Sequence, residues 1–315
     1  MSNTIPIHEW LEFIDSEYLS TFIKDGGASV KFAVTPDEQK AELYGALKAR
    51  CQELDYIFVE LEAATCRFHM PQDIFFELAK QVDWRCLARR MVLRMAEEKG
   101  FSVEGVAFTE VTDNIFDVLG RANQIEARLV LQEIRPEVVR RIYRNPNMAR
   151  DFKVAMTHLC TNMGTGESLQ PLVDWLTGEN TRISNVRPFS IRTSINRTTA
   201  RHYIESVLYW VRHVGYAGMV LLLENSRVTL ARNPRDGKRY YTRPMTMDHY
   251  ELLREFIDDV DRLEATLMIV VTNYDFIDEQ SPRGWKIYSA LQTRIMDDVR
   301  DRNLVNPIAA LVRLS

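Results

Sequence analysis

The sequence predicts an α/β fold, a doubly wound parallel sheet of about five strands with helices on both faces. Three observations lead there. Short apolar runs rich in β-branched residues recur along the chain, as in "SVKFAV", "YIFVELEA" and "ATLMIVVTNYDF". Stretches with apolar residues at helical spacing separate them, which is the alternation that builds parallel sheets. The run "MVLLLENS" is apolar without interruption, as a central strand covered on both faces requires.

Taken in order, "IPIHEWLEFIDSEYLSTFIKDGG" reads as an amphipathic helix. Leu11, Phe13, Ile14, Tyr18, Leu19, Phe22 and Ile23 form its apolar face, and Gly26 and Gly27 end it. "SVKFAV" is the first strand, Thr35 to Glu42 the turn after it, "AELYGALKARCQEL" a helix and "YIFVELEA" the second strand. From about residue 72 to 175 the pattern is helical with no strand punctuation, and it is read as an insertion within one domain spanning 1–315. The α/β alternation then resumes. "TTARHYIESVLYWVRHVGYAG" is a helix leading into "MVLLLENS", and "MDHYELLREFIDDVDRLE" a helix leading into "ATLMIVVTNYDF". "GWKIYSALQTRIMDDVRDR" is the last helix and "PIAALVRL" the last strand.

Composition narrows the function. A net charge of −4 over 315 residues gives no global attraction to nucleic acid or anionic lipid, so any basic surface is local. The four cysteines, Cys51, Cys66, Cys86 and Cys160, form no C-x-x-C pair, and no cysteine–histidine group has zinc spacing. His69 and His158 have no evident ligand set, and no metal site is expected. "MGTGES" has a G-x-G but no following lysine and reads as a loop. With no signal peptide and no apolar run of membrane-spanning length, a cytoplasmic location is expected.

The order strand, turn, helix, strand raises the question of a phosphate site. Such a site uses G-x-x-x-x-G-K-[ST], whose glycines let successive N–H groups converge on phosphate and whose lysine neutralises it. Here the turn "TPDEQKAE" contains no glycine. Pro36 removes a donor, and Asp37 and Glu38 place negative charge beside the turn. Lys40 is the available lysine, with a solvated surface role as the competing reading. The strand "MVLLLENS" ends in Glu224–Asn225. Glu224 could reach a magnesium-bound water, whereas an amide at Asn225 cannot take a proton as a general base. Asn273 ends the next apolar strand, where a γ-phosphate sensor would stand. Elsewhere, arginines recur at Arg182, Arg187, Arg192, Arg197 and Arg201. A second basic segment holds Arg232, Arg235, Lys238, Arg239 and Arg243 around Tyr240 and Tyr241, a pattern suited to phosphates and stacked bases.

Four stretches, "EYLSTFIKDGGASVKFAV", "FHMPQDIFFELAKQVDWRCLARRM", "VRHVGYAGMVLLLENS" and "GWKIYSALQTRI", resemble the P-loop ATP-binding proteins of BREX phage-defence systems, which are AAA+-like. The resemblance implies a P-loop NTPase core and an active ATPase or another defence subunit as partner, in a homo- or hetero-oligomer. It also implies an arginine finger offered to a neighbouring subunit, with Arg294 as candidate and Arg283 as alternate. Lys40 reaches the family lysine position only across a one-residue gap. Glu224–Asn225 replaces an acidic pair, and the helical lid that usually follows the last strand is expected to be absent. The expectation is therefore a degenerate, catalytically inactive ATPase-like scaffold or regulator that binds neither ATP nor magnesium. Two alternatives stay open: a functional ATP-binding protein with a non-standard loop, and a stand-alone DNA-binding module.

Overall fold

The computed structural model describes residues 4–106, 114–163, 168–296 and 306–315. In chain order the elements are α1 (Ile7–Phe13), a π-helical continuation (Ile14–Phe22), β1 (Ala28–Val34), α2 (Asp37–Glu53), β2 (Tyr56–Glu62), α3 (Pro71–Lys80) and α4 (Trp84–Glu98). Then come α5 (Ile115–Ala122), α6 (Ala127–Arg144), α7 (Arg150–Thr161), α8 (Gln170–Thr177), α9 (Ile183–Val186) and α10 (Ala200–His213). The chain closes with β3 (Gly218–Glu224), α11 (Arg243–Asp258), β4 (Thr266–Thr272), α12 (Ser289–Ile295) and β5 (Leu311–Arg313). These fall into two compact units. One contains residues 1–74 and 216–315 and carries the sheet; the other is the helical unit 75–215.

The sheet is parallel throughout, in the order β2-β3-β4-β1-β5. β3 and β4 are flanked by strands and covered on both faces, so every residue from Gly218 to Leu223 and from Thr266 to Thr272 is buried. Edge strand β2 is less covered, with only Tyr56, Val59 and Leu61 buried. One face carries Ala33, Val220, Leu222, Ile269 and Val271 against Leu43, Leu47 and Cys51, which recur every fourth residue on α2. On the other face Phe32 stacks on Phe276, which meets Tyr250 of α11. At the far edge Ile5 forms a parallel bridge with Leu314, one residue beyond β5.

Several expectations change here. The turn Thr35 to Glu42 is almost all helix, since α2 starts at Asp37 directly after Pro36. Proline's fixed φ suits a helix entrance, and two carboxylates in the first turn complement the helix dipole. Only Thr35 and Pro36 separate β1 from α2. The N-terminal apolar face also shifts. Five-residue hydrogen bonds such as Ile23 N to Tyr18 O (2.8 Å) place Ile14, Leu19 and Ile23 inward with Ile7 and Trp10, and leave Phe22 49% exposed. The last strand is confined to Leu311–Arg313. The end of the last predicted helix and the core of "MGTGES" lie outside the described residues.

No helix among the described residues is long and apolar enough to cross a membrane. Cys51, Cys66 and Cys160 are buried free thiols, and Cys86 is half-buried.

Candidate functional site

All strands are parallel, so their carboxyl ends line one edge: Val34, Glu62, Glu224 and Thr272. The chain leaving β1 crosses to the β2 edge, while the chain leaving β4 crosses β1 to reach β5. The two connections therefore pass each other at the β1–β4 pair, and ligands of open α/β sheets lie outside the carboxyl ends of the strands.

Lys40 stands at this edge, one turn into α2. Its Nζ is 2.6 Å from Asp37 Oδ1, 2.9 Å from Glu224 Oε1, and donates to Ser226 Oγ at 2.6 Å. An ammonium has three protons, and three acceptors hold them. Burial opposes its charge, but Glu224 and Asp37 outweigh burial and leave its pKa raised. The Ser226 amide donates to the same Glu224 oxygen at 3.1 Å, which folds the loop after β3 back on the strand end.

The surroundings are acidic. Glu62 is registered beside Glu224, and Glu60 lies on the same face two residues earlier. Burial, then Glu62, raises the Glu60 pKa. The Tyr44 hydroxyl on α2 is buried without a hydrogen-bond partner among the described residues. Burial, followed by the charges of Glu224, Glu60, Glu62 and Asp37, pushes its pKa up. No group of three or more acidic, histidine or cysteine side chains among the described residues is arranged to hold a metal ion.

Asn225 points to the opposite face, because successive strand residues alternate. It is fully buried. Its amide Oδ1 lies 2.7 Å from His249 Nε2, and His249 Nδ1 lies 3.2 Å from the Phe68 carbonyl oxygen. Burial pushes the His249 pKa down to about 3, so the ring is neutral. A neutral imidazole has one N–H, and a carbonyl only accepts, so the proton is on Nδ1. Nε2 must then accept from the Asn225 amide NH₂, with the amide turned so that its oxygen is the unpartnered atom. Asn225 is held as a donor to a histidine.

Asn273, half-buried after β4, is 3.0 Å through Oδ1 from the Thr229 hydroxyl, which donates to Ser226 O at 2.8 Å. Lys40, Glu224 and Asn273 are thus joined through Ser226 and Thr229, while Asn225 stands apart on the other face. Sequence reasoning passed over Tyr44, Glu60, Glu62, Ser226, Thr229 and His249. The alternating glutamates of "VELE" were the available signal for the acidic face.

Both finger candidates are engaged within the chain. Arg294 pairs with Asp258 through Nε and, at 2.9 Å, through Nη2; Arg254 shares that carboxylate. Arg283 lies over the Tyr240 ring at 5.7 Å and donates to its hydroxyl at 3.1 Å. In the basic segment Arg232, Arg235, Lys238 and Arg243 are exposed. Arg239 is also exposed but donates to the Thr65 carbonyl, and Asp236 is bound by Arg227. Tyr241 is buried, its hydroxyl donating to Cys66 O at 2.6 Å, and Tyr240 is half-buried. Burial takes Tyr241 out of any base-stacking platform, and Tyr240 keeps a half-buried ring against Arg283.

Comparison with known proteins gives one family. Residues 102–315 match the family described as BREX system ATP-binding protein BrxC/D, a span holding β3, β4, β5, Glu224, Asn225, Asn273 and both finger candidates. No curated protein matches, and no solved structure matches. The match covers more than half of the chain, and with the parallel α/β sheet it establishes that the chain belongs to the BREX system ATP-binding protein BrxC/D family.

Proposed function

We propose that this chain is a catalytically inactive, ATPase-like member of its family that scaffolds or regulates an active ATPase partner in anti-phage defence. The observation that carries this reading is the saturated Lys40 ammonium beside a turn without glycine. A phosphate arriving at the head of α2 meets Asp37 and Glu38 in the first helical turn, and Glu60 and Glu62 on the neighbouring edge strand. One unit charge opposed at 4 Å costs about 4 kcal/mol at an effective dielectric near 20. The helix dipole, worth about 0.3–1 kcal/mol to an exposed anion, does not offset several such contacts. Asn225, which donates to His249, offers no base to activate water.

Purified protein is expected to show no magnesium-dependent ATP hydrolysis above background and no thermal shift with ATP and magnesium. Robust turnover that disappears in Lys40→Ala would sink the reading and support a working non-standard phosphate loop.

A subunit without its own site can still complete a neighbour's, by lending a cation to the charge developing on a transferred phosphoryl group. Arg294 suits this role if Asp258 releases it, because Arg254 remains to hold that carboxylate. In a complex with an active ATPase, Arg294→Ala should leave assembly intact and lower the partner's turnover at least tenfold. Loss of one exposed ion pair costs only about 0–1 kcal/mol of stability, so the variant stays folded. Unchanged turnover in an intact complex leaves scaffolding alone.

A further inference from the structure

The helical unit carries a feature that the ATPase-like reading does not use. Between Asn180 and Ile204 the chain has five arginines and no aspartate or glutamate. The whole protein has 44 acidic residues in 315 and a net charge of −4, so this run is a local reversal of sign. Its large apolar residues turn inward: Val186, Phe189, Ile191 and Ile195 are buried. Its arginines turn outward. Arg182, Arg187 and Arg192 are exposed, and their guanidinium groups make no ion pair among the described residues. Arg201 is half-buried beside Glu205, and Arg197, though exposed, is not among the unpaired three.

The run is also fixed in shape. Asp151, buried on α7, accepts from the Arg192 amide at 2.9 Å, the Thr193 amide at 2.8 Å and the Thr193 hydroxyl at 2.6 Å through one carboxylate oxygen. Burial raises its pKa, but these hydrogen bonds win and hold it below the usual carboxylate value. Asn196 Oδ1 accepts from the Thr198 and Thr199 amides at 3.0 and 3.2 Å, closing the turn into α10. Asp151, whose charge Arg150 also faces, thus fixes the run at Arg192 and Thr193 and makes no ion pair with Arg182, Arg187 or Arg192.

We propose that the run Asn180–Ile204 is a contact surface for the phosphate backbone of duplex nucleic acid, with Arg182, Arg187 and Arg192 as its phosphate contacts. An array of exposed arginines, hydroxyls and amides on a fixed backbone is the donor set that phosphates take. Protein partners are gripped by apolar and aromatic anchors at the centre of an interface, and no large apolar side chain of this run is exposed. The run exposes no phenylalanine, tyrosine or tryptophan to stack a base, which favours a sequence-blind duplex over a single strand. This surface is additional to the segment Arg232–Arg243.

The test is fluorescence anisotropy of the full chain with a labelled mixed-sequence duplex at several salt concentrations. Wild type is expected to bind at low salt and weaken steeply as salt rises. Replacing Arg182, Arg187 and Arg192 together by Gln should lower the slope of log affinity against log salt by about 0.9 for each phosphate no longer neutralised. The matching triple Lys variant should keep that slope. The three single Arg→Gln changes should each remove about 0.9, which serves if the triple variant folds poorly. Absence of duplex binding by wild type at low salt overturns the proposal. So does an unchanged slope in the Gln variants. Displacement of the duplex by poly-glutamate at equal charge concentration overturns it in favour of an acidic protein surface.

Discussion

Acidification from pH 6.5 to pH 4 is expected to cost about 3 kcal/mol of folding stability through His249 alone. The ring is fully buried, and burial lowers its folded pKa from 6.5 to about 3. Between those values the unfolded chain binds a proton that the folded chain refuses, so stability rises with pH across the window. The contribution is complete above about pH 6.5 and is lost as pH falls towards 3. Burial also lowers the His213 pKa, so His213 acts in the same direction. Urea unfolding at pH 7.5, 6, 5 and 4 should therefore be compared between wild type and His249→Gln. The variant should lose on the order of 2 kcal/mol at pH 7.5, from lost packing and an unpaired Asn225 amide. Its stability should then fall less steeply with acid, by up to about 1.4 kcal/mol per pH unit. An identical slope in the two proteins would show that His249 does not carry a buried neutral ring.

Gly218→Ala should cost 3 kcal/mol or more, to order of magnitude. Gly218 opens the central strand β3, and an added Cβ would lie 2.1 Å from the Ala265 carbonyl oxygen and 3.0 Å from Tyr56 Cε1. The oxygen belongs to backbone at the entrance to β4 and accepts from the Met219 amide at 2.9 Å, so it cannot move aside without breaking the ladder. Gly45 on α2 is the control, since a Cβ there meets nothing within 4 Å. Gly45→Ala should be neutral or slightly stabilising, because alanine is the better helix former. Thermal unfolding of the pair decides the matter: similar midpoints would mean that β3 and β4 are more loosely registered than described.

The sheet was legible because its signals are local. All five strands were readable from apolar runs, and the buried central strands from runs without polar interruption. The order β2-β3-β4-β1-β5 was not legible, since it rests on pairings between distant segments such as Val34 with Thr272. α2 starts earlier than its apolar spacing shows, because Pro36 followed by two acidic residues already opens the helix before the first apolar position. The π-helical shift could not be seen, because a five-residue hydrogen bond leaves no separate mark in a periodicity of three and four. At the site, Lys40, Glu224 and Asn273 were legible only as polar residues following apolar strand runs. Their joining through Ser226 and Thr229 depends on how one loop folds back, which no motif records. His249 was invisible for a related reason, since it meets Asn225 only through tertiary packing.

The division into units sets an order of events during synthesis. The helical unit is continuous over 75–215, whereas the sheet unit is interrupted by it. β1 and β2 emerge from the ribosome early, yet their partners β4 and β3 follow much later: Val34 pairs with Thr272 and Glu62 with Glu224. At about 5–20 residues per second, β1 waits on the order of 10–50 s for β4. During that interval the helical unit can close its own core, while "SVKFAV" and "YIFVELE" remain unpaired and apolar. Their pairings span long stretches of chain, and an exposed strand edge is an aggregation template. The interval is one for chaperones, and heterologous expression at low temperature, with slower synthesis and weaker hydrophobic association, is the condition that suits this chain.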